Sequence, residues 1–266
     1  MSTESYVIRG GIEGRERLRI LSEVMGAPTR ALLDDAGISE GSVCVDLGCG
    51  GGDVAFDLSR RVGPTGRITG LDRDETKIAI ARGEALDHGI TNVAFHVAEL
   101  TEWEPDEAYD AAYARFLLSH IADPTQLLST LRRSMRPGGT VIIEDVDFRG
   151  HFSEPRSDAL ERYVGLYMES VRRRGGNAVI GPLLPALLRD AGFTDVRVRV
   201  SHPVALVNGI KTLTCVTMES IADAVLADGL ISTELLQRTV EDLRVMAEDP
   251  QSLGGGPRVF QVWGRA

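Results

Sequence analysis

Five short apolar runs alternate with amphipathic stretches between residues 43 and 144, a rhythm that admits few folds. Val43-Cys44-Val45-Asp46-Leu47 enters a glycine cluster, and behind it Val54, Leu58 and Val62 recur at helical spacing until Gly63-Pro64. Arg67 to Leu71 reads as a second strand. Asp74 to Leu86 reads as a helix with acids in its first turn and Ile78, Ala81 and Ala85 on one face. Val93 to Val97 and Tyr109 to Ala114 are the next strands. Asp123-Pro124-Thr125-Gln126 joins an N-cap acid to a proline at the first helical position and a glutamine three residues after the cap. It opens a helix burying Leu127, Leu128, Leu131 and Met135, which Pro137-Gly138-Gly139 breaks before a fifth strand from Thr140 to Glu144. Strands separated by helices predict an α/β, doubly wound, mostly parallel sheet with right-handed crossovers, whose ligands sit at the carboxyl ends of the strands. After residue 150 the sequence predicts helices over 157–174 and 183–192, a strand from Val196 to Val200 and a last strand from Val259 to Trp263. Residues 205–253 read as a mostly helical insertion that the sheet does not need.

The sharpest local signal is Asp46-Leu47-Gly48-Cys49-Gly50-Gly51-Gly52-Asp53, between a strand and a helix. Glycines there permit a tight turn and the close approach of a ligand. The dinucleotide fingerprint GxGxxG needs a third glycine where this chain has Asp53, and an acid at a helix start repels a pyrophosphate. The pattern therefore implies a cofactor without phosphates. Asp72 closes the second strand about 20 residues on, where a carboxylate can accept both hydroxyls of an adenosyl ribose. Asp74 suits the capping of the following helix and leaves Asp72 free. A ligand-free turn and a mere capping acid remain the alternatives.

With these residues the chain resembles the class I S-adenosylmethionine (SAM)-dependent methyltransferases, in particular the ubiquinone/menaquinone-biosynthesis type, over residues 40–200. Asp46 to Gly52 is similar to the family's acidic glycine loop, Leu71-Asp72 to its ribose-binding acid and Val97-Ala98-Glu99-Leu100 to its adenine contact. Tyr109 to Arg115 and Arg136-Pro137-Gly138-Gly139 match the fourth strand and the turn before the fifth. The resemblance implies a Rossmann-like seven-stranded sheet with an antiparallel last strand and SAM as cofactor. Asp46 would bind the cofactor as part of the loop, Gly48, Gly50 and Arg115 would lie at its methionine part, Asp72 at the ribose, and Arg73, Glu99 and Leu100 at the adenine.

The implied layout is an N-terminal helical cap over 1–40 and a core over 41–204, with a helical substrate segment at about 151–181. The insertion over 205–253 and the last core strand over 254–266 complete it. The segment around Tyr6-Val7-Ile8-Arg9-Gly10-Gly11 either closes over the site, with Tyr6 or Arg17 reaching the cofactor, or is a frayed tail.

Methyl transfer to a small, flat, aromatic or apolar metabolite, at oxygen or carbon, needs alignment in a dry pocket and no covalent intermediate. A hydroxyl acceptor would use a base, and of the five histidines His151 and His120 follow the fifth and fourth strands. An unperturbed histidine would titrate near ~6.5. No metal is expected: Ala114-Arg115 stands where metal-dependent relatives need a carboxylate, and Glu144, Asp145 and Asp147 alone make no site. Tyr163, Tyr167, Met168 and Thr214 to Ile221 are the expected acceptor wall. The Arg172-Arg173-Arg174 run reads as a solvated helix end.

Composition narrows the partners. With 29 Lys plus Arg against 39 Asp plus Glu, the net charge of −10 opposes nucleic acid and anionic membrane. Cys44, Cys49 and Cys215 form no CxxC pair, which fits a reducing compartment. The N-terminus lacks a signal-peptide pattern, so a cytoplasmic monomer or homodimer acting on a small molecule is expected. The rival readings are an NAD(P)-dependent oxidoreductase and a non-catalytic SAM-binding module.

Overall fold

The computed structural model describes residues 11–105 and 107–266. In chain order the strands are β1 (Val43–Leu47), β2 (Arg67–Asp72), β3 (Val93–Val97), β4 (Tyr109–Arg115), β5 (Met135–Asp147), β6 (Phe152–Glu154), β7 (Thr194–Ser201), β8 (Val204–Ala205), β9 (Leu253–Gly255) and β10 (Arg258–Arg265). The helices are α1 (Gly11–Ala36), α2 (Asp53–Val62), α3 (Glu75–Asp87), α4 (Pro124–Ser134), α5 (Asp158–Arg173), α6 (Leu184–Asp190), α7 (Ile210–Ser220), α8 (Ala222–Ala227) and α9 (Thr233–Glu248). Seven strands form one sheet in the order β3-β2-β1-β4-β5-β10-β7. Strands β1 to β5 pair in parallel, and β10 is antiparallel to both of its neighbours. This is the Rossmann-like, seven-stranded architecture that the sequence implied.

Period-two alternation divides the core between the two faces of the sheet. Val43, Val45 and Leu47 of β1, with Val141 and Ile143 of β5, pack under α4 and α6 through Leu127, Leu128, Leu184 and Leu188. Cys44, Tyr113 and Ile142 point to the opposite face, against Leu32 and Leu33 of α1, Leu58 of α2 and Ile78 of α3. Asp74 caps α3 by accepting from the Lys77 amide at 3.1 Å, and Asp123 caps α4 by accepting from the Thr125 amide at 3.0 Å.

Three local expectations change. Met135 is not helical: α4 stops at Ser134, and Met135 opens β5 opposite Tyr109, while Pro137-Gly138-Gly139, with Gly138 at φ +80°, interrupts the pairing with β4 until Thr140 meets Ala111. A second, three-stranded sheet, β6-β9-β8, closes the base of the insertion. Its strands of two or three residues are too short to show a periodicity. Arg174 is not solvated, since it pairs with Asp228 at 2.6 Å and ties the end of α5 to α8. All three cysteines are buried and free. Among the described residues no helix is long and apolar enough to cross a membrane.

The insertion folds back on the core. Helix α7 packs on α1 and α9, and α5 packs on α9. The buried Lys211 ammonium donates to the carbonyls of Asp249 and Ser252 at 2.9 and 3.0 Å and to the Ser252 hydroxyl at 2.8 Å, holding both ends of the insertion together.

The long α1 is fixed from below by Glu144 of β5, whose exposure is 0 %. One carboxylate oxygen accepts from the Thr29 hydroxyl at 2.8 Å and from the Tyr113 hydroxyl, and the other accepts from Gln261 Nε2 at 2.7 Å. Gln261 also donates to the Pro28 carbonyl at 3.2 Å, and its own oxygen accepts from Arg199 Nε at 2.9 Å. Removing the shared acceptor strands buried donors on α1, β4 and β10. Glu144→Ala is expected to lower unfolding free energy by about 3–5 kcal/mol, and Tyr113→Phe by about 1 kcal/mol. Urea denaturation measures both, and an unchanged midpoint for Glu144→Ala would refute this role.

Candidate active site

The site begins where β1 ends. Gly48 and Gly50 adopt left-handed backbone, with φ of +68° and +55°, which a side chain would strain. A Cβ on Gly50 would lie 2.7 Å from Leu18, and one on Gly51 2.4 Å from Arg15 Nε, so α1 rests directly against the loop. Arg15 then spans from the loop to two helices, pairing with Asp53 of α2 at 2.9 Å and Glu84 of α3 at 3.0 Å.

Asp72 is not free, as its sequence context suggested. Its two oxygens accept from the Gly50 amide at 2.9 Å and the Asp74 amide at 2.9 Å, so it sets the conformation of the glycine loop. Each carboxylate oxygen keeps capacity for a second donor. Beside it, Asp46 is buried and its Oδ2 has no donor among the described residues. Burial pushes the Asp46 carboxyl up to about 8; Arg115 opposes that, and Asp72 and Asp53 add to it. An orphaned acceptor next to a bare glycine loop fits a ligand that brings N–H donors and positive charge, as the methionine end of SAM does.

Arg115 ends β4 with its guanidinium 3.4 Å from the Thr29 hydroxyl. Burial works against its charge, but Tyr113, Glu144, Asp46 and Asp53 outweigh it and raise its pKa. Arg73 is exposed just after β2, and Glu99 is exposed and accepts from the Thr101 hydroxyl at 3.2 Å. Leu100 is buried in the core beneath α4. Tyr6 lies outside the described residues.

A second feature opens on the same edge of the sheet. An apolar cavity with about 630 Å³ of atom-free space, counting its mouth, lies between α1, α5, α7 and the ends of β4, β5 and β10. Phe148 stacks on Tyr167 at 3.9 Å with 5° between the rings, and Tyr163 stands 5.7 Å from Phe148. Phe116, in left-handed backbone at φ +53°, also lines it. A bulky residue holds that conformation only where its surroundings impose it, and here the Phe116 N–H donates to the Glu144 carbonyl at 2.8 Å. Neither Phe116 nor Phe148 was singled out by sequence; an aromatic directly after each central strand is the signal that could have marked them.

Both expected histidines line this cavity, and so does Arg17. His151 Nδ1 lies 2.8 Å from the Phe148 carbonyl. A carbonyl only accepts, so Nδ1 carries the hydrogen and Nε2 the lone pair. Burial lowers the His151 pKa to about 4 against the pull of that carbonyl, and His202 lowers it further. His120 is pushed down to about 3, by burial first and then by Arg17, Arg73 and Lys77; its Nε2 is 3.5 Å from the Tyr167 hydroxyl. Both rings are neutral near pH 7, and titration at the unperturbed histidine value does not apply. His88 and His96 are exposed, and His202 Nε2 donates to the carbonyls of Gly150 and Gly256 at 3.1 and 3.0 Å.

The three acids of β5 face protein donors. Glu144 serves the α1 network, and Asp145 accepts from the Ser119 amide at 3.0 Å, burial raising it to about 6. Asp147 pairs with Arg149 and Arg258 at 2.8 and 2.7 Å.

Comparison with known proteins agrees with this geometry. The family described as "Methyltransferase domain" matches residues 38–172, just over half of the sequence. The chain belongs to this methyltransferase family. It is 28 % identical over 152 residues to the ubiquinone/menaquinone biosynthesis C-methyltransferase UbiE of Hahella chejuensis, covering 56 % of this chain and 59 % of that protein. It is 31 % identical over 163 residues to an uncharacterised transposon protein of Streptomyces fradiae, covering 61 % of this chain and 46 % of that one. The matched stretch thus spans about half the length of these relatives. Among solved structures, a putative methyltransferase of Bacillus halodurans superposes with a TM-score of 0.59 at 18 % identity, over 88 % of this chain and 96 % of that one. The expected class I SAM-dependent methyltransferase, resembling the ubiquinone/menaquinone type, is thereby met at the level of family and fold.

Asp72→Ala removes the acceptor that orders Gly50 as well as the expected ribose partner. It should weaken SAM binding by about 1–3 kcal/mol and speed hydrogen exchange at the Gly50 amide. Calorimetry and exchange mass spectrometry read the two effects; a folded variant with unchanged SAM affinity would remove Asp72 from the site.

Proposed function

We propose that this protein binds SAM along the glycine loop and transfers its methyl group to a small, flat, largely apolar acceptor held in the adjoining cavity. The observation that carries this reading is the placement of the loop, with its orphaned Asp46 oxygen, and the aromatic cavity on one edge of the same sheet. SAM supplies an electrophilic methyl on a sulfonium. The chain's task is then alignment and exclusion of water, which can supply most of the rate.

In this proposal Asp46 accepts from the methionine ammonium, and the Gly48 and Gly50 backbone gives the approach that a side chain would block. Asp72 keeps the loop in place and accepts from the ribose. Arg115 lies at the methionine part, and Arg73, Glu99 and Leu100 lie at the adenine. Residues 1–40 act as the cap, and α5 with the 205–253 insertion builds the acceptor wall. Phe148, Tyr163 and Tyr167 offer flat apolar surface to an aromatic acceptor. His151, neutral and with its lone pair on Nε2, serves as base for a hydroxyl; a carbon acceptor, as in the C-methyltransferases that the chain is similar to, needs the same pocket. The acceptor is a small molecule rather than a nucleic acid or a membrane, and the protein works in the cytoplasm as a monomer or homodimer.

Incubation with methyl-labelled SAM and a panel of aromatic metabolites, read by mass spectrometry, tests the transfer. On a hydroxyl acceptor, His151→Ala should lower turnover by about 10²–10⁴-fold and leave SAM affinity unchanged. Because the folded pKa is about 4, wild-type turnover should hold through pH 6 and fall only as the pH nears 4, where His151 gains its proton. A rate that already falls through pH 6.5, or an effect confined to His120→Ala, would displace His151 as the base.

A further inference from the structure

Arg17 sits in the cavity wall with an exposure of only 9 %. Its Nε is buried without an acceptor among the described residues. Among the described residues, other arginines of α1 form ion pairs, Arg15 with Asp53 and Glu84 and Arg19 with Glu23. No aspartate or glutamate among the described residues lines the cavity. A buried guanidinium with an open donor is costly unless something negative meets it, and its planar fork matches a carboxylate. The other polar side chains of the wall are hydroxyls and imidazoles, none of them a carboxylate. The Thr214 hydroxyl donates to the Ile210 carbonyl of its own helix at 2.9 Å, and His120 and His151 are neutral.

We propose that the methyl acceptor is an aromatic acid whose carboxylate pairs with Arg17 while its ring lies along Phe148 and Tyr163. This rests on the methyltransferase reading above and moves Arg17 from the cofactor, where sequence placed it, to the acceptor. The cavity gives the proposal its two halves: apolar ring-bearing walls, and a guanidinium whose buried Nε has no acceptor among the described residues. The methionine carboxylate of SAM offers the same chemistry from the cofactor side, and the experiment separates the two sources.

The full-length chain, saturated with S-adenosylhomocysteine, is titrated calorimetrically with 2-naphthoate and benzoate and with their neutral amides, 2-naphthamide and benzamide. A charge-assisted pair predicts that at least one acid binds about tenfold or more tightly than its own amide. Arg17→Gln should bring the two within about twofold, Arg17→Lys should keep most of the gap, and neither should change S-adenosylhomocysteine affinity. Equal affinity of acid and amide for the wild type, or no binding of either, overturns the proposal without recourse to any variant. So does a loss of S-adenosylhomocysteine affinity in Arg17→Gln with the acid preference intact, which would return Arg17 to the cofactor. Failure of the wild type to bind S-adenosylhomocysteine at all would count against the methyltransferase reading instead, and the acid-against-amide comparison, repeated on the unloaded chain, would still decide the role of Arg17.

Discussion

Glu144 decides where the N-terminal helix lies, and through that helix it decides the shape of both halves of the site. The carboxylate is buried in the middle of the sheet and shared by donors on α1, β4 and β10. With Pro28 and Thr29 anchored there, the preceding turns of α1 run out over the carboxyl edge of the strands. Leu18 and Arg15 meet the glycine loop, and Arg17, Leu21 and Met25 form one wall of the cavity. A helix held at one end by buried hydrogen bonds and at the other by ion pairs to α2 and α3 is an integral layer of the molecule, and both ligand surfaces include it.

The acids around the loop also bear on which cofactor the fold accepts. Asp53 occupies the helix position where a dinucleotide fold keeps a glycine, and it is paired to Arg15. Asp46 and Asp72 bring two more carboxylates to the same end of the sheet. Their mutual repulsion contributes to the raised pKa of Asp46, which suits a cation and opposes a pyrophosphate. The family match, the missing third glycine and the orphaned Asp46 oxygen all argue against a nicotinamide oxidoreductase.

Most of the sheet was legible in the sequence because each strand is an apolar run and each crossover helix carries a cap or an apolar stripe, as Asp74 and Asp123 show. The glycine loop and Asp72 were legible as a pair because their spacing is set by one strand–helix–strand unit. Other features depended on contacts that no local pattern encodes. Thr29 meets Glu144 across 115 residues of chain, and Gln261 meets the Pro28 carbonyl across 233. Arg17 could be read as a candidate ligand contact, but which ligand it serves depends on the wall that α5 and α7 build around it. The short β6-β9-β8 sheet was missed because pairing partners, not propensity, impose it.

The acids and the bare glycine loop at this sheet edge suit a sulfonium cofactor without phosphates. Calorimetric titration of the full chain with SAM, and separately with NAD and NADP, tests this most directly. One saturable SAM site per chain, displaced by S-adenosylhomocysteine, is expected, with no measurable heat from either dinucleotide. Saturable binding of NAD or NADP by a chain that gives no heat with SAM would contradict it.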